Sequence, residues 1–196
     1  MSDTFLANIF RMKHIDRWSL MYNTRKENLS EHSFECALLT HHLAIIGNTY
    51  FGKQYDIVKL TCHALFHDVT EILTGDLPTP VKYYNQNIST AFKEMESEAA
   101  EKIIDYLPEE MRELYTGYFN SNALNESEKA IISAADKLCA YLKCIAELNA
   151  GNKEFSIAYK TIEAAIRKNS IAELEYFMQN SKKAFSLSLD ELQGSL

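Results

Sequence analysis

The sequence predicts an all-α fold, on three observations. Only 6 Gly and 3 Pro punctuate 196 residues, apolar residues recur at spacings of three and four, and nowhere is the alternation of a half-buried strand sustained. With 46% hydrophobic residues the chain can bury a sizeable core. No linker, internal repeat or low-complexity tract divides it, so residues 1–196 read as a single domain.

The elements follow in order. An opening helix over Thr4–Ile15 places Phe5, Leu6, Ile9 and Phe10 on one side, and the irregular RWSLMYNTRKEN follows. Asn28 or Ser30 caps the next helix, which carries Phe34, Leu38 and Leu39 and is expected to stop near Gly47. His32 falls in its first turn. Asp56 caps a helix running through Leu60, Leu65 and Ile72 toward Gly75, with His67, Asp68 and Glu71 near its end. GDLPTPVKYYN holds two of the prolines and reads as an ordered loop. A long helix over Ser89–Leu107 ends before Pro108, and a short one over Met111–Tyr118 follows. Asn125 and Glu128 form a capping box for a helix with Ile131, Ile132, Ala135, Leu138 and Leu142 that reaches Gly151, with Asp136 in its middle. Helices near Phe155–Lys168 and Ile171–Phe185 close the domain, and the last dozen residues read as weakly structured.

Charge excludes some functions. Lys and Arg number 20 against 27 Asp and Glu, a formal net charge of −7, which argues against a protein that wraps nucleic acid by neutralising phosphates. An anionic ligand must therefore be held locally. No run approaches the ~18 apolar residues of a membrane span, and Asp3, Arg11, Lys13 and Arg17 interrupt the N-terminal stretch where a signal peptide would be uniformly apolar. Cys36, Cys62, Cys139 and Cys144 lack CxxC spacing and lie in helical, apolar surroundings, as reduced thiols do in a cytoplasmic protein.

The chemistry concentrates in the order H…HD…D formed by His32, His67, Asp68 and Asp136. Two imidazoles and two carboxylates offer a divalent cation an N2O2 ligand set with positions left for water and a substrate oxygen. Cation charge activates water and offsets phosphoryl oxygens, so a phosphate ester is the natural target. Asp136, in the middle of SAADKLCAYL where a core face belongs, is costly unless paired or metal-bound. The HxxxH pair His63 and His67 ranks below this set because it lacks the glutamate of HExxH. His14, His41 and His42 receive no role. Glu71, three residues after Asp68 and four after His67, shares their helix face as a proton-transfer group. Arg17 and Trp18 pair a phosphate-binding guanidinium with an aromatic surface for a sugar or base. Asp76 and Thr79, in a proline-restricted loop with Leu77 and Pro78, are placed for ligand hydroxyls, and Lys82 adds positive charge near a phosphate.

H…HD…D with HDVTE resembles the HD superfamily of metal-dependent phosphohydrolases. DRWSLMYNTRKENLSEHS, HDVTEILTGDLPTPVKYYN and ADKLCAYLKCIAELNAGN further resemble the bacterial 5′-deoxynucleotidases of the YfbR type, over nearly the whole chain. The resemblance implies an HD-domain helical bundle with a metal site between core helices, and hydrolysis of deoxyribonucleoside 5′-monophosphates with little base preference. It also implies a cytoplasmic homodimer and one divalent ion such as Co, Mn or Cu, although the ligand chemistry also admits Zn and Mg. Carried over by position, His32, His67, Asp68 and Asp136 ligate the metal, and Arg17 orients the phosphate. Trp18 lies against the sugar and disfavours a 2′-hydroxyl, Glu71 transfers protons, and Asp76, Leu77, Pro78 and Thr79 contact the deoxyribose, with His32, Asp68 and Asp136 also facing substrate. The competing readings are an HD-type phosphodiesterase on another nucleotide and a catalytically silent nucleotide-binding helical protein.

Overall fold

A computed structural model describes residues 4–82, 84–168 and 171–194. Among them there are helices and turns but no strand, and one isolated bridge joins Asp16 and Asn28. The α-helices are α1 (Phe5–Ile9), α2 (Leu29–Tyr50), α3 (Ile57–Phe66), α4 (Glu71–Thr74), α5 (Thr79–Lys82), α6 (Gln86–Ile104), α7 (Glu109–Phe119), α8 (Glu126–Asn149), α9 (Ser156–Lys168), α10 (Ala172–Asn180) and α11 (Leu189–Gln193).

Helix α2 is the spine, packing against α3, α8 and α10, while α8 also packs against α9. Leu43, Leu60, Ile131, Leu138 and Tyr141 are fully buried between these helices. Burial of each such side chain contributes about 1.5–3 kcal/mol. Both long helices start at capping boxes: Asn28 accepts from Glu31 N and Asn125 from Glu128 N, while each glutamate reaches back to the cap's own N–H. Cys36, Cys139 and Cys144 are buried free thiols, and Cys62 is partly buried. No described helix is long and apolar enough to cross a membrane.

Several boundaries differ from the sequence reading, each for an identifiable physical reason. The opening helix tightens into a 3₁₀ segment at Phe10–His14. Helix α2 does not stop at Gly47 but continues through it: a Cβ there would meet the Tyr55 ring at 2.6 Å and Glu173 Oε1 at 2.8 Å, so this glycine serves close packing. The helix expected from Asp56 to Gly75 is broken at residues 67–70, where Val69 N bonds Phe66 O and Glu71 N bonds Asp68 O in i→i−3 turns. The chain then leaves α4 through Gly75 at φ 75° and ψ 159°, which a side chain rarely adopts. The proline loop contains one helical turn, α5, with Pro80 in its first turn where the missing N–H costs nothing. Helix α10 ends at Asn180 and hands over to a 3₁₀ turn at Lys182–Ser186. The C-terminal dozen is not featureless, because Ser188 and Glu191 cap α11.

Candidate functional site

The break after α3 shapes the site. His67 Nδ1 bonds Ala64 O at 2.7 Å, which fixes the ring and leaves Nε2 facing inward. From α2, wholly buried His32 brings its own Nε2 to 3.3 Å from His67 Nε2 and 3.3 Å from Asp68 Oδ2, while Asp68 Oδ2 is 3.2 Å from His67 Nε2. One ligand atom each from His32, His67 and Asp68 thus falls within a mutual 4.8 Å. These donors fit a divalent cation, with two imidazole nitrogens and a carboxylate turned to one point. Asp136, from α8, reaches His32 Nε2 at 3.3 Å but is not within 4.8 Å of all three. Nor does it lie in an apolar core face. Its side chain is 44% exposed and lines a cleft of about 310 Å³ together with His67, His63, Tyr118 and Ser133, so solvent offsets the burial cost expected from sequence. A larger cavity of about 440 Å³, beside α9 and α10, contains none of these residues.

Charges in the cluster reinforce one another. Burial opposes protonation of His32, yet hydrogen bonds to Asp136 and Asp68 raise its pKa to about 9. Burial likewise opposes a charge on His67, and Asp68 raises it to about 10. Two imidazoliums cannot hydrogen-bond through their Nε2 atoms, so the pair shares one extra proton there, which the carboxylates hold above the ordinary histidine range. Against the burial of Asp68 and the partial burial of Asp136, the same two rings hold both below the usual carboxylate range.

Arg17 enters from the segment between the 3₁₀ turn and α2. The bridge of Asp16 with Asn28 and the bond from Arg17 N to Glu27 O close this segment at its base. The Arg17 Nε donates to Glu27 Oε1 at 3.0 Å and Nη1 to Asp68 Oδ2 at 3.2 Å. Burial alone would lower its pKa; Asp68, Glu27, Asp136 and Asp76 raise it. Glu27, absent from the sequence reading, also stands 3.7 Å from His32 Nδ1, a nitrogen with no hydrogen-bond partner. An acid just before the cap Asn28 carries no pattern that would single it out. Trp18 sits at φ 56°, the one non-glycine residue at positive φ among the described residues, with its indole 5.3 Å from the Phe155 ring.

Glu71 opens α4 rather than continuing α3 and is 3% exposed. Its Oε2 is buried without a hydrogen-bond partner, and Oε1 lies 3.6 Å from Lys82 Nζ. Burial, then repulsion from Asp68 and Asp76, raises its pKa to about 8 against the pull of Lys82 and Arg17. Lys82 faces Glu71 and, at 3.2 Å, Glu96, and lies over the Phe92 ring, so its charge acts on Glu71. Asp76 contributes to the field at Arg17 and Glu71, and Leu77 and Pro78 are half-buried in the loop that follows; the side chain of Thr79 lies outside the described residues. His63 is buried against Tyr118 and stays out of the tight cluster, while His14, His41 and His42 are exposed.

Residues 4–185 match the family described as 5′-deoxynucleotidase YfbR-like. The chain belongs to this family. It is 46% identical over 188 residues to the 5′-deoxynucleotidase YfbR of Salmonella paratyphi B, covering 96% of this chain and 94% of the relative, and equally to that of Salmonella newport. Among solved structures it is similar to an HD-domain phosphohydrolase from Listeria innocua, with TM-score 0.81, 20% identity and coverage of 97% and 92% of the two chains. It also resembles the cyanophage S-2L HD phosphohydrolase DatZ, whose structure is bound to dA and one catalytic Zn2+ ion, with TM-score 0.66, 17% identity and coverage of 94% and 97%. These two likenesses establish the all-α HD-type fold of this YfbR-like chain.

Proposed function

We propose that the chain acts as one HD-type phosphohydrolase domain that hydrolyses deoxyribonucleoside 5′-monophosphates to deoxynucleoside and phosphate, accepting different bases and disfavouring ribonucleotides. The observation that carries this reading is the convergence of His32, His67 and Asp68 within 4.8 Å beside Asp136, Arg17 and an unpartnered carboxyl oxygen of Glu71. The name and 46% identity of the Salmonella relatives support the substrate class.

His32, His67, Asp68 and Asp136 would hold a divalent cation: Co, Mn or Cu by family likeness, with Zn and Mg compatible with the same donors. Such an ion supplies Lewis acidity toward water and phosphoryl oxygens. Arg17 binds and orients the phosphate with the guanidinium donors left free by Glu27 and Asp68. Glu71 holds a proton near neutral pH; it can deliver it to the departing 5′ oxygen or, once ionised, accept one from the attacking water. Trp18 packs the sugar face, where a 2′-hydroxyl meets an apolar surface and loses its partners. Asp76 through Thr79 contact the deoxyribose and its 3′-hydroxyl.

The proposal extends to a cytoplasmic homodimer. Phe34, Leu38 and Ile45 form an exposed apolar stripe on α2 that supports pairing of two copies, and light scattering measures it. Phosphate release from dAMP, AMP and 3′-dAMP, across a panel of metals after chelation, tests the activity. Metal-dependent release favouring dAMP is expected; no release from dAMP with any metal, or turnover of bis-p-nitrophenyl phosphate alone, refutes it.

A further inference from the structure

The segment that carries Arg17 and Trp18 is tied to the far end of α8 by a buried carboxylate outside the site. Glu147 is 1% exposed and accepts hydrogen bonds from Thr24 N at 2.9 Å, Thr24 Oγ1 at 2.7 Å, Arg25 N at 3.3 Å, Asn152 Nδ2 at 2.8 Å and Lys143 Nζ at 2.6 Å. Asn152 Nδ2 also donates to Tyr22 O at 2.8 Å, and Lys143 Nζ donates to Arg25 O. A buried carboxylate is costly unless fully partnered, and this one satisfies its acceptors almost entirely from one surface segment and the side chains that clamp it. Burial opposes its ionisation, but Lys143, Asn152 and Thr24 hold it far below the usual carboxylate range.

Two further observations point from this hub to Trp18. Positive φ is a strained conformation for an aromatic residue and persists only where the surroundings over-determine it. Phe155, wholly buried just beyond Asn152, supplies the ring against which Trp18 rests, and Lys143 Nζ lies 5.7 Å from the centre of that same ring. The hub therefore grips both the Trp18 segment and the wall behind it. Arg17 has separate anchorage through Glu27 and Asp68.

We infer that Glu147, with Asn152 and Lys143, is a positioning residue for specificity: by clamping Thr24 and Arg25 it keeps Trp18 against Phe155, and so sets discrimination between deoxyribose and ribose. This rests on the reading of Trp18 as the sugar-facing residue. Losing the hub loosens Trp18 while leaving the cluster of His32, His67 and Asp68 in place, so discrimination suffers more than turnover.

Trp18 is the chain's sole tryptophan, so its fluorescence reports its placement without any assay of activity. The variants are Glu147→Gln and Thr24→Val, with Thr24→Ser restoring the hydroxyl; because Thr24 is exposed, its variants decide the matter if Glu147→Gln fails to fold. Expected for Glu147→Gln and Thr24→Val are red-shifted emission, stronger acrylamide quenching, and a fall of about tenfold in the dAMP-to-AMP ratio of kcat/KM, with kcat on dAMP within about twofold of the parent. Thr24→Ser behaves as the parent. Unchanged emission and an unchanged ratio in folded variants overturn the inference, as does a parallel loss of kcat on both substrates. If Trp18→Ala leaves the ratio unaltered, the sugar-facing reading fails and takes the specificity role with it, while fluorescence separately decides whether the hub holds Trp18.

Discussion

Loading a divalent cation into the cluster of His32, His67 and Asp68 is expected to expel protons, because imidazole nitrogens ligate only when unprotonated. His32, at about 9, is almost wholly protonated at pH 7 in the cation-free protein, and freeing it weakens binding by roughly 100-fold relative to a pH above 9. His67 lies at about 10, and because two imidazoliums cannot hydrogen-bond through Nε2 atoms 3.3 Å apart, that contact admits one extra proton on the pair. Release of about one proton per ion follows at pH 7, with affinity rising about tenfold per pH unit up to pH 9. Two unperturbed histidines would together release only roughly half a proton at that pH. Isothermal titration calorimetry with Mn2+ in buffers of different ionisation enthalpy counts the protons directly, and a binding enthalpy independent of buffer refutes the reasoning. The same shifts act on stability. Both histidines have folded-state values above their unfolded ones, so their contribution is fully present below about 6.5 and is lost as pH rises through about 9 to 10. Glu71, raised to about 8, acts with the same sign, and the urea midpoint of the cation-free protein accordingly declines above neutrality.

Other perturbations probe single links. Glu71→Gln removes proton transfer while preserving shape, and steady-state phosphate release is expected to show kcat on dAMP lowered by about 10²–10⁴-fold with KM little changed; a parent-like kcat rejects the role. Trp18→Ala is expected to raise turnover of AMP relative to dAMP, and equal losses on both substrates in competition assays contradict sugar packing. Gly47→Ala forces a Cβ against Tyr55 and Glu173 and costs about 1–3 kcal/mol in urea unfolding, with an unchanged midpoint as the contrary result. Leu138→Ala, in the packed centre of α8, costs about 2–5 kcal/mol by the same measurement, and less than 1 kcal/mol would show that the core there is loose.

Much was legible in the sequence because its signals are local. Helical spacing, few breakers and the caps Asn28, Asp56 and Asn125 each act within a turn or two of chain, and all three caps are in place. Likewise, side-chain chemistry grouped His32, His67, Asp68 and Asp136, while Arg17 and Glu71 took their roles chiefly from the family resemblance. Tertiary contact decided the rest. The exposure of Asp136 at a cleft wall 3.3 Å from His32, the pairing of Lys82 with Glu71, and the attachment of Glu27 and Glu147 to the Trp18 segment all depend on contacts beyond a single helical turn. Thr24 and Glu147 are 123 positions apart, and no local propensity encodes that a hydroxyl on a surface turn will meet a carboxylate on α8. A residue's type sets which partners it can satisfy; only the packing of the helices determines which partner is there, and so which pKa, which conformation and which contact results.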